Sequence, residues 1–103
     1  YYGGAPSDGV GIFVRSSRCT LGDVHRIRFA DITPDKHATQ VAVTAEIRDA
    51  QTGRPLLWTS VSHLKAGGGK HNESMRLVQG KAWAKLLSAL VTTGKRLPLV
   101  VCG

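Results

Sequence analysis

The stretch from Gln40 to Ser60, QVAVTAEIRDAQTGRPLLWTS, constrains this chain more than any other. Val41, Val43, Ala45 and Ile47 fall on one side of an alternating pattern, and Ala42, Thr44, Glu46 and Arg48 fall on the other. Period-two alternation marks a strand with one buried face, so the first set reads as core and the second as wet or covered by a partner. Glu46 and Arg48 read as an exposed charge pair. Asp49 to Arg54 then supplies a reversal, with Gly53 able to take a positive φ and Asp49 able to bond back to turn amides. Pro55 opens a second strand where its missing N–H costs little. In that strand Leu57, Thr59 and Val61 alternate with Leu56, Trp58 and Ser60. Both faces start with large apolar groups, so one must be covered by a helix, a subunit or a membrane surface.

Around this hairpin the other elements fall into place. GVGIFV, residues 9 to 14, reads as a first strand after a Gly-rich leader at 1 to 8, and VHRIRFADI, residues 24 to 32, as a half-exposed second one. AGGGK, residues 66 to 70, is a joint. The segment after it carries a long helix, with Asn72 as N-cap and Gly94 followed by Lys95 and Arg96 as its stop. Met75, Val78, Ala82, Trp83, Leu86, Leu87, Ala89 and Leu90 cover more than half of its circumference, which predicts deep packing. Gly80 in its interior fits either close approach to a neighbour or simple tolerance. LPLVVCG, residues 97 to 103, reads as a last strand. The expected fold is a single α+β domain over residues 1 to 103, an antiparallel sheet of four to five strands with one long helix on one face.

Charge is the strongest global fact. Fourteen Lys and Arg against seven Asp and Glu give a formal +7 and a sequence pI near 10.0. Such a surface attracts phosphates, anionic lipid head groups or an acidic partner without choosing among them. No apolar run reaches the roughly 18 to 20 residues that cross a bilayer. The two cysteines, Cys19 and Cys102, form no C-x-x-C motif. A bridge between them would close a loop of about 84 residues and contribute on the order of 4 to 5 kcal/mol, whereas two free thiols fit a reducing compartment equally well.

The search for catalytic patterns is short. His25, His37, His63 and His71 show no metal-binding spacing, no G-x-S-x-G elbow is present, and the seven carboxylates sit in no metal loop. GGGK before the helix lacks the P-loop spacing. The reading is therefore of a protein without catalytic residues, metal or cofactor, and without a small-molecule substrate. Nucleic-acid recognition needs a basic surface with stacking aromatics or a groove-entering helix, and only the first is evident.

The phrase VTAEIRDAQTGRPLLWTS, followed by a glycine-containing joint and an Ala/Leu-rich helix, resembles small accessory lipoproteins of the Gram-negative envelope over residues 40 to 91. These include auxiliary lipoproteins of ABC-type lipid transport systems. That resemblance implies a non-catalytic adaptor in the periplasm, anchored at the outer membrane through a lipidated N-terminus and working in a multi-subunit assembly. No lipobox cysteine precedes the domain, and Cys19 does not fit one. The expected function is binding or scaffolding, through envelope proteins, self-assembly or an anionic lipid surface. Arg26, Arg28, Arg48, Arg54 and Trp58 are the candidate contacts, Trp58 being alternatively an ordinary core residue. The alternative function is a basic nucleic-acid-binding module.

Overall fold

A computed structural model of the chain describes residues 9 to 103, and the leader at 1 to 8 lies outside the described residues. It contains β1 (Cys19–Arg28), α1 (Phe29–Ile32), β2 (Val41–Asp49), β3 (Pro55–Ser62), α2 (Lys70–Thr93) and β4 (Leu99–Cys102). The four strands form one sheet in the order β1-β2-β3-β4. The first two pairings are antiparallel and the third, β3 with β4, is parallel. An α+β fold with one long helix against a four-stranded sheet is what the pattern led one to expect. The parallel last strand refines it, because a 24-residue helix, about 36 Å long, carries the chain back along the sheet before β4 begins.

The reversal at 49 to 54 forms as its residues dictate. The Asp49 carboxylate accepts from the amides of Gln51 and Thr52 at 2.8 and 3.0 Å, and Gly53 takes φ of 70°. These two amides hold the Asp49 carboxyl below its ordinary value.

Two expected strand boundaries move. Residues 9 to 15 form no strand; Val10 and Ile12 line a cavity over the β1–β2 face, while Phe13 is 96% exposed. The strand expected over 24 to 32 starts earlier, at Cys19, and stops at Arg28. There the Phe29 amide makes a last bond to the Gln40 carbonyl at 3.1 Å, and the turn of α1 drops Phe29 into the core with no exposure. The Thr33 hydroxyl closes that turn on the Phe29 carbonyl at 2.7 Å.

The helix lies on the side of the sheet that looked wetter. The core under α2 joins Phe29, Ala42, Trp83 and Leu87, with Ile27, Ile32, Ala38, Leu64 and Leu99 packed around them. Ala42, Thr44, Ser60 and Ser62 are small, which leaves space beneath the helix that two tryptophans fill. Trp83 donates its indole N–H to Ser60 Oγ at 3.0 Å, and Ser60 Oγ lies 2.8 Å from Thr44 Oγ1. Buried polar groups are tolerated when each finds a partner, as these do. The more apolar set on β2 faces away from α2: Ala45 and Ile47 are buried there, whereas Val41 and Val43 are only half-buried.

The helix itself is less deeply packed than its wide apolar arc predicts. Only Gln79, Trp83 and Leu87 are buried, and Val78 and Leu86 are 44% and 39% exposed. A single helix is narrower than four strands, so one stripe of its arc finds the sheet and the flanks do not. Its first residue is Lys70, with Gly69 before it in place of an Asn72 cap; the Asn72 amide instead donates to the Gly68 carbonyl at 3.0 Å. A Cβ at Gly80 would meet only Leu64 Cδ1, at an ordinary 4.0 Å, which favours simple tolerance at that position.

The cysteines are both free. Cys19 opens β1 and Cys102 closes β4, on opposite edges of the sheet with two strands between them. Three interstrand steps span about 14 Å, twice the Cα separation a disulfide accepts. The bridge considered above is thereby corrected.

Candidate functional site

The two ends of the sheet are built from different chemistry. At the end where β3 and β4 begin, Glu46 points into the layer beneath α2 and has no exposed surface. It accepts from Lys95 Nζ at 2.5 Å through Oε2 and from Arg48 Nε through Oε1. The hydrogen bond from Lys95 is the main force holding the Glu46 carboxyl below its ordinary 4.5, against a burial effect pushing the other way, with Arg48 helping. Glu46 also raises the Arg48 guanidinium. The expected exposed charge pair is therefore a buried carboxylate held by two cations. Asp23 lies 4.0 Å from Lys95 at the rim.

Trp58 completes this end. It is 2% exposed, donates its indole N–H to the Lys95 carbonyl at 3.0 Å and sits 6.0 Å from the His25 ring, centroid to centroid. Of the two readings of Trp58, core packing is the one this position fits, and an exposed contact is not available to it. A bulge between Leu21 and Val24 makes room for the charged pair. A Cβ on Gly22 would stand 2.5 Å from Arg48 Nε and 2.6 Å from Glu46 Oε1. Every polar group here is matched, which describes a structural clamp on the α2–β4 connection.

The other end is where β3 and β4, the parallel pair joined by α2, both finish. In open sheets the crevice beyond the carboxyl ends of parallel strands is where ligands bind, because the connections diverge there and leave space. Here β3 ends at Ser62 and the next residue, His63, is exposed. With Gly9, Val10, Thr39, Gln40 and Val41 it lines a cleft of about 230 Å³. Gln40 is held from behind: its side-chain oxygen accepts from Gln79 Nε2 at 3.0 Å, while Gln79 Oε1 accepts from the Lys65 amide at 2.9 Å. Arg76 pins the β3–α2 connection by donating to the Lys65 and Gly67 carbonyls at 3.0 and 2.7 Å. An exposed imidazole in the same cleft as an anchored amide can move a proton or donate to an anionic oxygen. Among the described residues no cluster of three or more His, Cys, Asp or Glu is placed to hold a metal ion.

The remaining contact candidates are dispersed. Arg26 and Arg28 are exposed on β1, on the side away from α2 by register, and Arg28 pairs with Asp31 at 3.8 Å. Arg54 is exposed in the hairpin turn, and Arg48 is drawn into the Glu46 clamp. They form no single patch. His63, Gln40 and Gln79 were missed because they have no motif spacing. The signal that could have found Gln40 and His63 is the β2–β3 hairpin itself, whose register brings the residues before Val41 and after Ser62 to one end of the sheet.

No family model matches the chain, and no curated protein does. Among solved structures it is similar to the human Nocturnin catalytic domain with bound sulfate anion. The TM-score is 0.64 and the identity 30%, over 84% of this chain and 30% of that one. The chain thus spans about 30% of the length of that solved domain. This likeness overturns the envelope-lipoprotein resemblance, which rested on a hairpin turn and an Ala/Leu helix that many α+β domains share. The non-enzymatic scaffolding function and the envelope partners inferred from it fall with it. Among the described residues no helix is long and apolar enough to cross a membrane.

Proposed function

We propose that this chain is one part of a catalytic unit that acts on a phosphate-bearing substrate, nucleic acid first, in the cleft between the end of β3 and the start of β2. The observation that carries the reading is the likeness to a catalytic domain solved with a sulfate anion, a tetrahedral oxyanion of phosphate shape. The charge of +7 agrees with it, since a polyanion is drawn to such a surface whatever its sequence. In this reading His63 touches the substrate, donating to a phosphoryl oxygen or taking a proton from the attacking water. Gln40, fixed through Gln79, orients the substrate beside it. The nucleic-acid alternative of the sequence reading survives, now with catalysis added.

The test is cleavage of an end-labelled single-stranded oligonucleotide by the intact protein in magnesium buffer. Turnover that falls on His63→Ala, with binding to the oligonucleotide kept, supports the proposal. Salt-sensitive binding with no cleavage by the wild type would contradict it and leave a binding module.

A further inference from the structure

The cleft at His63 does not end at Val10 and Val41. Both residues also line a second, larger cavity of about 390 Å³ over the open face of β1 and β2. The two spaces are neighbours, one bearing an imidazole and an amide, the other mostly apolar.

Register builds the floor of the larger one. Arg26 pairs with Val43 and Arg28 with Val41, and residues directly opposite one another in an antiparallel pair share a face. That face is the one α2 leaves open. Across from it Val10 and Ile12 are half-buried between exposed Gly9, Gly11 and Phe13, so the segment before β1 turns its apolar side onto the cavity. Three kinds of group therefore meet in one space: aliphatic side chains, two guanidiniums, and the Asp31 carboxylate 3.8 Å from Arg28. Arg26 has no acidic partner among the described residues.

This mixture selects among ligands. A second phosphate is disfavoured beside Asp31, and a hydrocarbon tail gains nothing from an ion pair in its wall. A nucleobase suits both features, because its faces stack on apolar and guanidinium surfaces while its edge carries donors and acceptors together. The size agrees. Pockets for small ligands run from about 300 to 1,000 Å³, so 390 Å³ has room for one ring-bearing unit and not for several.

We infer that the cavity is the subsite for the nucleoside attached to the phosphate at His63, with the Arg26 guanidinium against its base. The inference rests on the His63 cleft taking a phosphate, and it adds that recognition extends to one base-bearing unit beside it.

Titration calorimetry on the intact protein with adenosine 5′-monophosphate and with ribose 5-phosphate tests it. The nucleotide should bind about 10-fold more tightly than the sugar phosphate, the scale of one stacked base. Arg26→Ala, a change at an exposed position, should erase most of that ratio and leave ribose 5-phosphate binding within about 2-fold of the wild type. His63→Ala should weaken both probes alike. Equal affinity for the two probes, or binding of neither, overturns the inference. An Arg26→Ala variant that loses both probes to the same degree also overturns it, since that marks a general attraction of charge. Neither titration reads turnover, so the two proposals fail separately. Base-dependent affinity in a protein that cleaves nothing keeps the subsite and removes the hydrolysis, and cleavage without base dependence does the reverse.

Discussion

The two ends of the sheet share four strands and one helix but spend their polar residues differently. At the end where β3 and β4 start, Glu46, Arg48, Lys95 and the Trp58 indole satisfy one another, with no buried side-chain polar atom lacking a partner among the described residues. At the end where those strands stop, His63 stands exposed over a cleft, beside an amide that is held from behind. Saturated polar groups rigidify; a group with spare hydrogen-bonding capacity is what can engage a substrate. The difference separates a stability end from a working end, and each of the following experiments is a way to break that separation.

The largest effect is expected at the sealed end. Trp58→Ala removes a 2% exposed indole and its bond to the Lys95 carbonyl, and should lower stability by about 4 kcal/mol in chemical denaturation. Survival of the fold with an unchanged midpoint would place that tryptophan outside the core. Lys95→Met keeps the length of the side chain but strips Glu46 of its principal partner, leaving a buried carboxylate with Arg48 alone. A loss of about 2 kcal/mol is expected by the same assay. At Gly22, Ala should cost about 1 to 2 kcal/mol, because its methyl displaces the Glu46–Arg48 pair. A double variant with Arg48→Ala should then recover part of that loss.

Acid sensitivity follows from the same clamp with a definite sign. The folded state holds Glu46 below its unfolded value near 4.5, so the folded state binds fewer protons there. Its contribution is complete above that pH and is lost as pH falls through the lower folded value. Denaturation midpoints measured downward from pH 6 should therefore decline below about pH 4.5, and Glu46→Gln should flatten that decline. The smallest stability effect is expected at the open end: His63→Ala should shift the denaturation midpoint by less than about 0.5 kcal/mol, as exposed substitutions do.

Local chemistry was legible in the residues, and long-range placement was not. The turn at Asp49 and Gly53 depends on neighbours within five positions, and it forms as written. The helix over 70 to 93 follows from its period, and the fold class from the two together. Which face of β2 the helix would choose was misread, because hydrophobicity alone favours the side of Val41 and Val43. Packing instead favoured small Ala42, Thr44 and Ser60, which leave room for Trp58 and Trp83. Burial of Glu46 followed from that choice, and its partner Lys95, 49 positions away, carries no sequence mark. The cleft was invisible for the same reason: Gln40 and His63 flank paired residues of β2 and β3, and Gln79, 39 positions from Gln40, reaches Gln40 only through the packing of α2 on the sheet.

The separation of the two ends is tested most directly by comparing oligonucleotide cleavage in Lys95→Met and His63→Ala at a temperature where both remain folded. A working end at His63 predicts that His63→Ala loses about 100-fold or more in turnover, the scale of a lost proton-transfer group, while Lys95→Met keeps its rate despite lower stability. Equal activity in His63→Ala and the wild type, or loss confined to Lys95→Met, would put the chemistry elsewhere and contradict the account.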